Sequence, residues 1–324
     1  MIVEVSDLRH AYGDRVALDG VSLSVAQGEI FALLGPNGSG KTTLFRILST
    51  LVPPPPGKVR IAGHDPATER DEVRRNIGVV FQSPSLDKQL TASENLTHQG
   101  HLYGLSGADL RRRVDEALAA VGLSDRAGER ADRLSGGMRR RVEIAKGLLH
   151  RPRVLLMDEP STGLDPAARL DLWDHLRRVS REGGADGGVT ILLTTHILEE
   201  ADGASRVAIL QNGKLLACDT PAALKDRIGG DVITVTSGRP EAVREALRQR
   251  LGAESEIVEG TVRLERAGGA RFVPQLIEAA PGLVDAVSVG KPTLQDVFIR
   301  LTGRRFATDA RPERAHEAPR KRRG

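Results

Sequence analysis

The stretch "GPNGSGKTT" at residues 35–43 places Gly35, Gly40, Lys41 and Thr42 in the spacing G-x-x-x-x-G-K-[ST]. It follows the apolar run "EIFALLG" (29–35) and precedes a helical pattern that the sequence extends from Lys41 to about Leu51. Strand, glycine turn and helix in that order are the setting a phosphate-binding loop needs. Backbone N–H groups of Pro36-flanking residues Asn37, Gly38, Ser39, Gly40, Lys41, Thr42 and Thr43 can point at phosphate oxygens, because glycine lets the backbone come close. The helix N-terminus adds its positive end. In such a loop Lys41 reaches the β- and γ-phosphates of a nucleotide, and the Thr42 hydroxyl ligates Mg²⁺.

A second apolar strand, "VLLMDE" (154–159), ends in two acids. Asp158 at its carboxyl end suits the metal, since open α/β sheets bind ligands at that edge. Glu159 comes next, and a turn after the strand could bring it to an attacking water as a base. Taken with "DEP" alone, Glu159 reads equally well as a solvated strand-end acid. "LSGGM" (134–138) also opens a helix behind a serine, and so offers a second anion-facing element. The run "RRR" (139–141) after it reads as helix surface.

These groups require a scaffold of buried strands with helices between them. Strands are expected at "IVEVSDL" (2–8), 29–35, "KVRIAG", "IGVVFQ" (77–82), 154–159 and "VTILLTTH" (189–196), with a helix near 167–181. "PPPPG" (53–57) is a stiff connector, and residues from about 83 to 150 turn helical. "SRVAILQNGKLLAC" reads as a hairpin turned at Asn212-Gly213. Beyond it, 231–303 form a smaller unit in the order strand, helix, two short strands, helix, strand, helix, without a cluster of catalytic residue types. The division expected is 1–228, with a helical subdomain at about 83–150, then 229–303, then a disordered basic tail at 304–324.

Composition excludes several classes. Aromatic residues make up 3% of the 324, few for stacking on bases. The net charge is +4, but residues 304–324 alone carry eight Lys/Arg against three acids, so the rest of the chain is slightly acidic. The basic character belongs to the tail, which is either simply solvated or touches an anionic membrane surface or nucleic acid. One cysteine, Cys218, excludes an internal disulfide and reads as a small hydrophobe near a strand. The first residues carry no signal-peptide pattern, and no apolar run approaches the roughly 20 residues of a membrane span.

"GPNGSGKTT", Gln82 after "IGVVF", "LSGGM", "VLLMDEP", "STGLD" and "TTH" occur in the order found in ATP-binding cassette ATPases, and residues 1–225 resemble that family. The resemblance implies an α/β P-loop core with an N-terminal antiparallel β-layer and an inserted helical subdomain. It also implies that Tyr12 stacks on adenine, that Gln82 touches Mg²⁺ or water, and that His196 contacts the γ-phosphate. Leu134, Ser135, Gly136, Gly137 and Met138 would face ATP held by a second subunit, and Asp165 would sit at that interface. "LSGGMRRRVEIAKGLLHRPRVLLMDEPSTGLDP" and "PTLQDVFIRLTGR" are similar to exporter ATPases of the daunorubicin-resistance type, with Pro56 as one departure. That likeness implies ATP and Mg²⁺ as ligands, a homodimer, an integral membrane permease of ABC-2 type, a place on the cytoplasmic face of the bacterial membrane, and export of a hydrophobic natural product. Other cargo, such as a polysaccharide, lipid or ion, is the alternative. An importer ATPase or a soluble cassette ATPase acting on ribosomes or DNA are rivals, and no nucleic-acid partner is expected.

Overall fold

The computed structural model describes residues 1–182 and 188–306. Most of the expected basic tail therefore lies outside the described residues. The chain opens with two long antiparallel strands, β1 (Val3–Tyr12) and β2 (Arg15–Val25). β1 alternates buried and exposed positions near its start, as a strand with one wet face does. The fully buried β3 (Ile30–Leu34) then leads through the glycine loop into helix α1 (Lys41–Leu48). The helix stops short of Leu51 because Thr50 adopts φ 63°, outside helical space.

After the proline connector, β4 (Val59–Ile61) joins β1 and completes a three-stranded layer in the order β2-β1-β4. A short helix α2 (Arg70–Asn76) precedes β5 (Ile77–Val80). The sequence pattern singles out neither β2 nor α2. The helical insertion follows, with α3 (Ala92–Leu102), α4 (Gly107–Ala120) and α5 (Gly136–Leu148) packed on a core of their own around Leu96, Leu110, Val114, Leu118 and Val142. A capping box of Thr91 and Glu94 starts α3.

The chain then returns to the main sheet through β6 (Val154–Asp158), α6 (Pro166–Glu182), β7 (Thr190–Thr195), α7 (Leu198–Asp202), β8 (Arg206–Gln211) and β9 (Lys214–Asp219). The sheet order is β5-β6-β7-β3-β8-β9, parallel except for the β8–β9 hairpin. Asn212 and Gly213 turn that hairpin with φ 49° and 75°, the left-handed pair that a two-residue turn demands. Every residue of β3, β6 and β7 is buried, as strands covered on both faces must be. One face carries α1 and the β1–β2–β4 layer, around Phe31, Leu33, Phe45 and Leu156. The other carries α6, α7 and α8 (Pro221–Asp226).

The last unit contains β10 (Asp231–Thr236), α9 (Pro240–Leu251), β11 (Glu256–Val258), β12 (Thr261–Arg266), α10 (Gly269–Ala279) and β13 (Ala286–Gly290). Its sheet is antiparallel in the order β11-β12-β10-β13, the split βαβ arrangement. Helices α9 and α10 cover one face. The final helix, α11 (Leu294–Thr302), joins this unit to the ATPase-type sheet: Leu294, Val297 and Phe298 share one apolar core with Ile209, Leu224, Ile228 and Val232.

Candidate functional site

The glycine loop has the backbone its composition predicts. Gly38 and Gly40 hold φ 79° and 108°, and a Cβ at Gly40 would come within 2.7 Å of the Ala17 carbonyl. No side chain caps the first turn of α1, so the open N–H groups of that turn remain for a ligand. Lys41 is only 4% exposed, and its Nζ donates to the carbonyls of Gly35 and Pro36 at 2.7 and 3.1 Å. Burial pulls its pKa down, while the carboxylates of Glu159 and Asp158 oppose that shift. The Ser39 hydroxyl is buried without a hydrogen-bond partner among the described residues. A buried donor left open inside a ring of N–H groups fits an anion. Beside the loop lies a cleft of about 400 Å³ lined by Tyr12, Arg15, Asn37, Lys41, Thr42 and Arg46, among others. Tyr12 is 46% exposed at its edge and meets the His10 ring edge-on at 4.7 Å.

Asp158 ends β6 beside β7. The Thr194 hydroxyl donates to its Oδ1 at 2.6 Å. Burial raises the Asp158 pKa, and the neighbouring Glu159 pushes it further in the same direction. The Thr194 hydrogen bond and the charges of Lys41 and Arg46 pull it back. The chain then turns sharply at Glu159, which sits at φ 44°. Its N–H donates to the Thr194 carbonyl at 3.2 Å and to Thr194 Oγ1 at 3.0 Å, which holds this costly conformation in place. The turn takes the carboxylate off the strand alternation. Glu159 Oε2 accepts from Gln82 Nε2 at 3.2 Å and from the Thr162 hydroxyl at 3.3 Å. His196 Nδ1 lies 3.1 Å from Glu159 Oε1, a close electrostatic contact without hydrogen-bond alignment. Lys41, Asp158, Glu159, Gln82 and His196 thus form one group.

The "LSGGM" residues divide. Gly136 lines a cleft of about 430 Å³ with Gln82 and Thr162. Leu134 is buried in the core of the helical insertion and not, as expected, at a ligand-facing surface. The others lie elsewhere. Ser135 caps α5, and its Oγ accepts the Met138 N–H at 3.2 Å. Asp165 Oδ1 accepts the Ala168 N–H at 2.9 Å at the start of α6. Ser135, Gly137, Met138 and Asp165 line a groove of about 240 Å³. None of the residues around the phosphate-loop cleft belongs to it. Gly137 is tight against α6, where a Cβ would meet the Ala168 methyl at 3.1 Å. A bulkier residue would therefore push the two helices apart.

The arginine run corrects the sequence reading in one respect. Arg140 is not on the helix surface but 7% exposed. It donates to the carbonyls of Pro160 (2.7 Å), Phe81 (2.7 Å) and Asp158 (3.3 Å), and to Glu143 Oε2 (2.8 Å). Glu143, itself buried, accepts the Ser85 N–H at 2.7 Å. Arg139 and Arg141 are also tied to backbone, at the Leu134 and Val121 carbonyls. The acid three residues after Arg140, on the same helix face, was the available signal for a pair. Glu200 was likewise unforeseen. This buried acid on α7 accepts from the hydroxyls of Ser161 and, at 2.7 Å, Thr195, so it joins the segment after Glu159 to the one before His196.

The family model for ABC transporters matches residues 18–162. A daunorubicin resistance ATP-binding protein, DrrA2 of Streptomyces coeruleorubidus, is 39% identical over 312 residues, covering 94% of this chain and 95% of that protein. The Nod factor export ATP-binding protein I of Paraburkholderia xenovorans is 39% identical over 312 residues, covering 93% of this chain and 97% of its own length. Among solved structures, the dimeric post-hydrolysis state of the ATP-binding cassette MJ0796 bound to ADP and Pi superposes with a TM-score of 0.58. It is 31% identical and covers 67% of this chain and 98% of that one. A phosphate loop, a strand-end acid pair and a signature-bearing helix, joined to similarity along nearly the whole length, lead to one conclusion: the chain belongs to the ATP-binding cassette transporter family and is a nucleotide-binding, ATP-hydrolysing subunit.

Proposed function

We propose that this chain powers an exporter of a hydrophobic, drug-like natural product, working with a separate membrane permease of ABC-2 type. The observation that supports this most is the reach of the similarity. The match to a daunorubicin resistance protein spans 94% of the chain and so includes the split βαβ unit. No described helix is long and apolar enough to cross a membrane. On this reading the cargo path is the permease, and this subunit works at its cytoplasmic face. A second reading, export of another amphiphile, is supported by the equally strong likeness to the Nod factor export protein.

In the proposed mechanism the nine residues Gly35–Thr43 hold the ATP phosphates, with Lys41 released from the Gly35 and Pro36 carbonyls to meet them. Tyr12 stacks on the adenine. Thr42 and Asp158, with Gln82, would supply the hard oxygen donors that Mg²⁺ takes, and the ion would offset charge on the phosphates. Glu159 accepts the proton of the attacking water, Gln82 Nε2 orients its carboxylate through a hydrogen bond, and His196 beside it contacts the γ-phosphate. Ser135 and Gly137 in their separate groove, and Gly136 in the neighbouring cleft, face the ATP of a second copy, with Asp165 at the junction. Each chain alone is then half of two sites. Because the γ-phosphate meets both chains, ATP favours the closed dimer and its cleavage releases it.

The test is deletion of the gene in its host, followed by exposure to a panel of anthracyclines, polyene antibiotics and glycolipids. Hypersensitivity to the anthracyclines, restored by the native gene and not by a Lys41→Ala copy, is the expected result. Unchanged drug tolerance together with intracellular retention of a glycolipid would move the assignment to the second reading.

A further inference from the structure

Arg140 lies five residues beyond Ser135 on the same helix, about 7.5 Å along its axis. Four acceptors surround its guanidinium. Three are main-chain carbonyls: Phe81, immediately before Gln82; Asp158, immediately before Glu159; and Pro160, immediately after it. The fourth is Glu143 one turn on. Glu143 in turn accepts from the Ser85 N–H, and Lys146 Nζ donates to the Ser85 carbonyl at 3.0 Å. Residues 140, 143 and 146 thus form one face of α5 that grips the Gln82 segment before and after the glutamine. Four bonds from three separate nitrogens need the five-donor guanidinium fork; a lysine ammonium has three N–H groups on one nitrogen and cannot make them all. Its charge is balanced by a single buried acid.

Resting on the two-chain reading of the site, we propose that Arg140 is a positioning residue for both ATP sites of the dimer at the same time. It fixes Gln82 and Glu159 of its own chain's site to the helix whose first residues, Ser135–Gly137, serve the opposite site. A change in the backbone around Gln82 or Glu159 is carried through the guanidinium into the tilt of α5. A residue that merely supported the fold near Glu159 would act in its own site only, and this separates the two roles.

Mixed dimers read the difference. One chain carries Lys41→Ala and its partner Ser135→Arg, so a single intact site remains, built from the phosphate loop of the second chain and the signature residues of the first. Arg140→Lys, which keeps a cation beside Glu143 but loses the fork, is then placed in either chain. The expected result is a fall in ATP turnover of about tenfold or more from both placements, as misplacement by a fraction of an ångström costs. The telling placement is the Lys41→Ala chain, whose own site is already dead. Turnover within twofold of the parent dimer for that placement overturns the proposal. Should Arg140→Lys fail to fold, judged by its melting curve, Arg140→Met with Glu143→Met in the same chain removes the pair as a unit and the same comparison is read. No turnover from the parent mixture with native Arg140 would instead refute the two-chain site itself, which keeps the two failures apart.

Discussion

Thr194 Oγ1 lies 2.6 Å from Asp158 Oδ1 and 3.0 Å from the N–H of Glu159, so one hydroxyl on β7 braces both acids at the end of β6. It donates to the first and accepts from the second. Removing it leaves a buried carboxylate short of a hydrogen bond and a strained turn short of an anchor. Thr194→Val keeps shape and volume, and is expected to cost about 1–3 kcal/mol of stability. It should also raise the Mg²⁺ concentration needed for half-maximal ATPase several-fold. A magnesium titration of both proteins decides it, and superimposable curves would exclude this role for Thr194.

Glu159 gathers Gln82, Thr162 and His196 about its carboxylate. Glu159→Gln keeps the size and loses the base. Steady-state turnover should drop at least about 100-fold, while ATP affinity, followed by equilibrium binding, stays within a few-fold of the native protein. Full hydrolysis by the variant would remove Glu159 from the role of base.

The signature residues and the phosphate loop line different clefts. ATPase activity per molecule is therefore expected to rise with protein concentration. Lys41→Ala and Ser135→Arg, each nearly inactive alone, should regain part of the native rate on mixing, because one composite site is whole. No rescue at any ratio would contradict the trans arrangement.

His175 on α6 is 5% exposed, and its Nε2 has no hydrogen-bond partner among the described residues. Burial, with the charges of Arg178 and Arg141, depresses its pKa to about 4. The unfolded chain thus takes up a proton at higher pH than the folded one. The stability that neutral His175 permits is complete above about pH 6.5 and is lost as pH falls toward 4, by up to roughly 3 kcal/mol. Urea midpoints measured across this range should show the slope in the native protein and a much flatter line in His175→Leu. Parallel slopes would assign the acid sensitivity to other groups.

The sequence by itself determined the parts whose physics is local. The phosphate loop needs neighbouring glycines and a strand-to-helix turn, and Gly38 and Gly40 take the positive φ that this requires. The continuous apolar runs of β3, β6 and β7 announce strands buried on both faces. The order of motifs pointed to the family. Other elements carry no such signal: β2, whose polar and apolar residues follow no clean alternation, and α2, α7 and α8, too short to show a period.

Tertiary structure alone decided what depends on partners distant along the chain. Arg140 sits in a run of three arginines that pattern places on a wet face. It is buried because β5, β6 and the segment after Glu159 bring the carbonyls of Phe81, Asp158 and Pro160 to one point, with Glu143 to balance the charge. Thr194 meets Asp158 because β7 returns after α6 to pair in parallel with β6, in the register that sets Thr194 opposite Asp158. A charged side chain may enter a core only where enough acceptors converge to replace its water, and that convergence is a property of the packed sheet and helices, invisible in any short stretch of sequence.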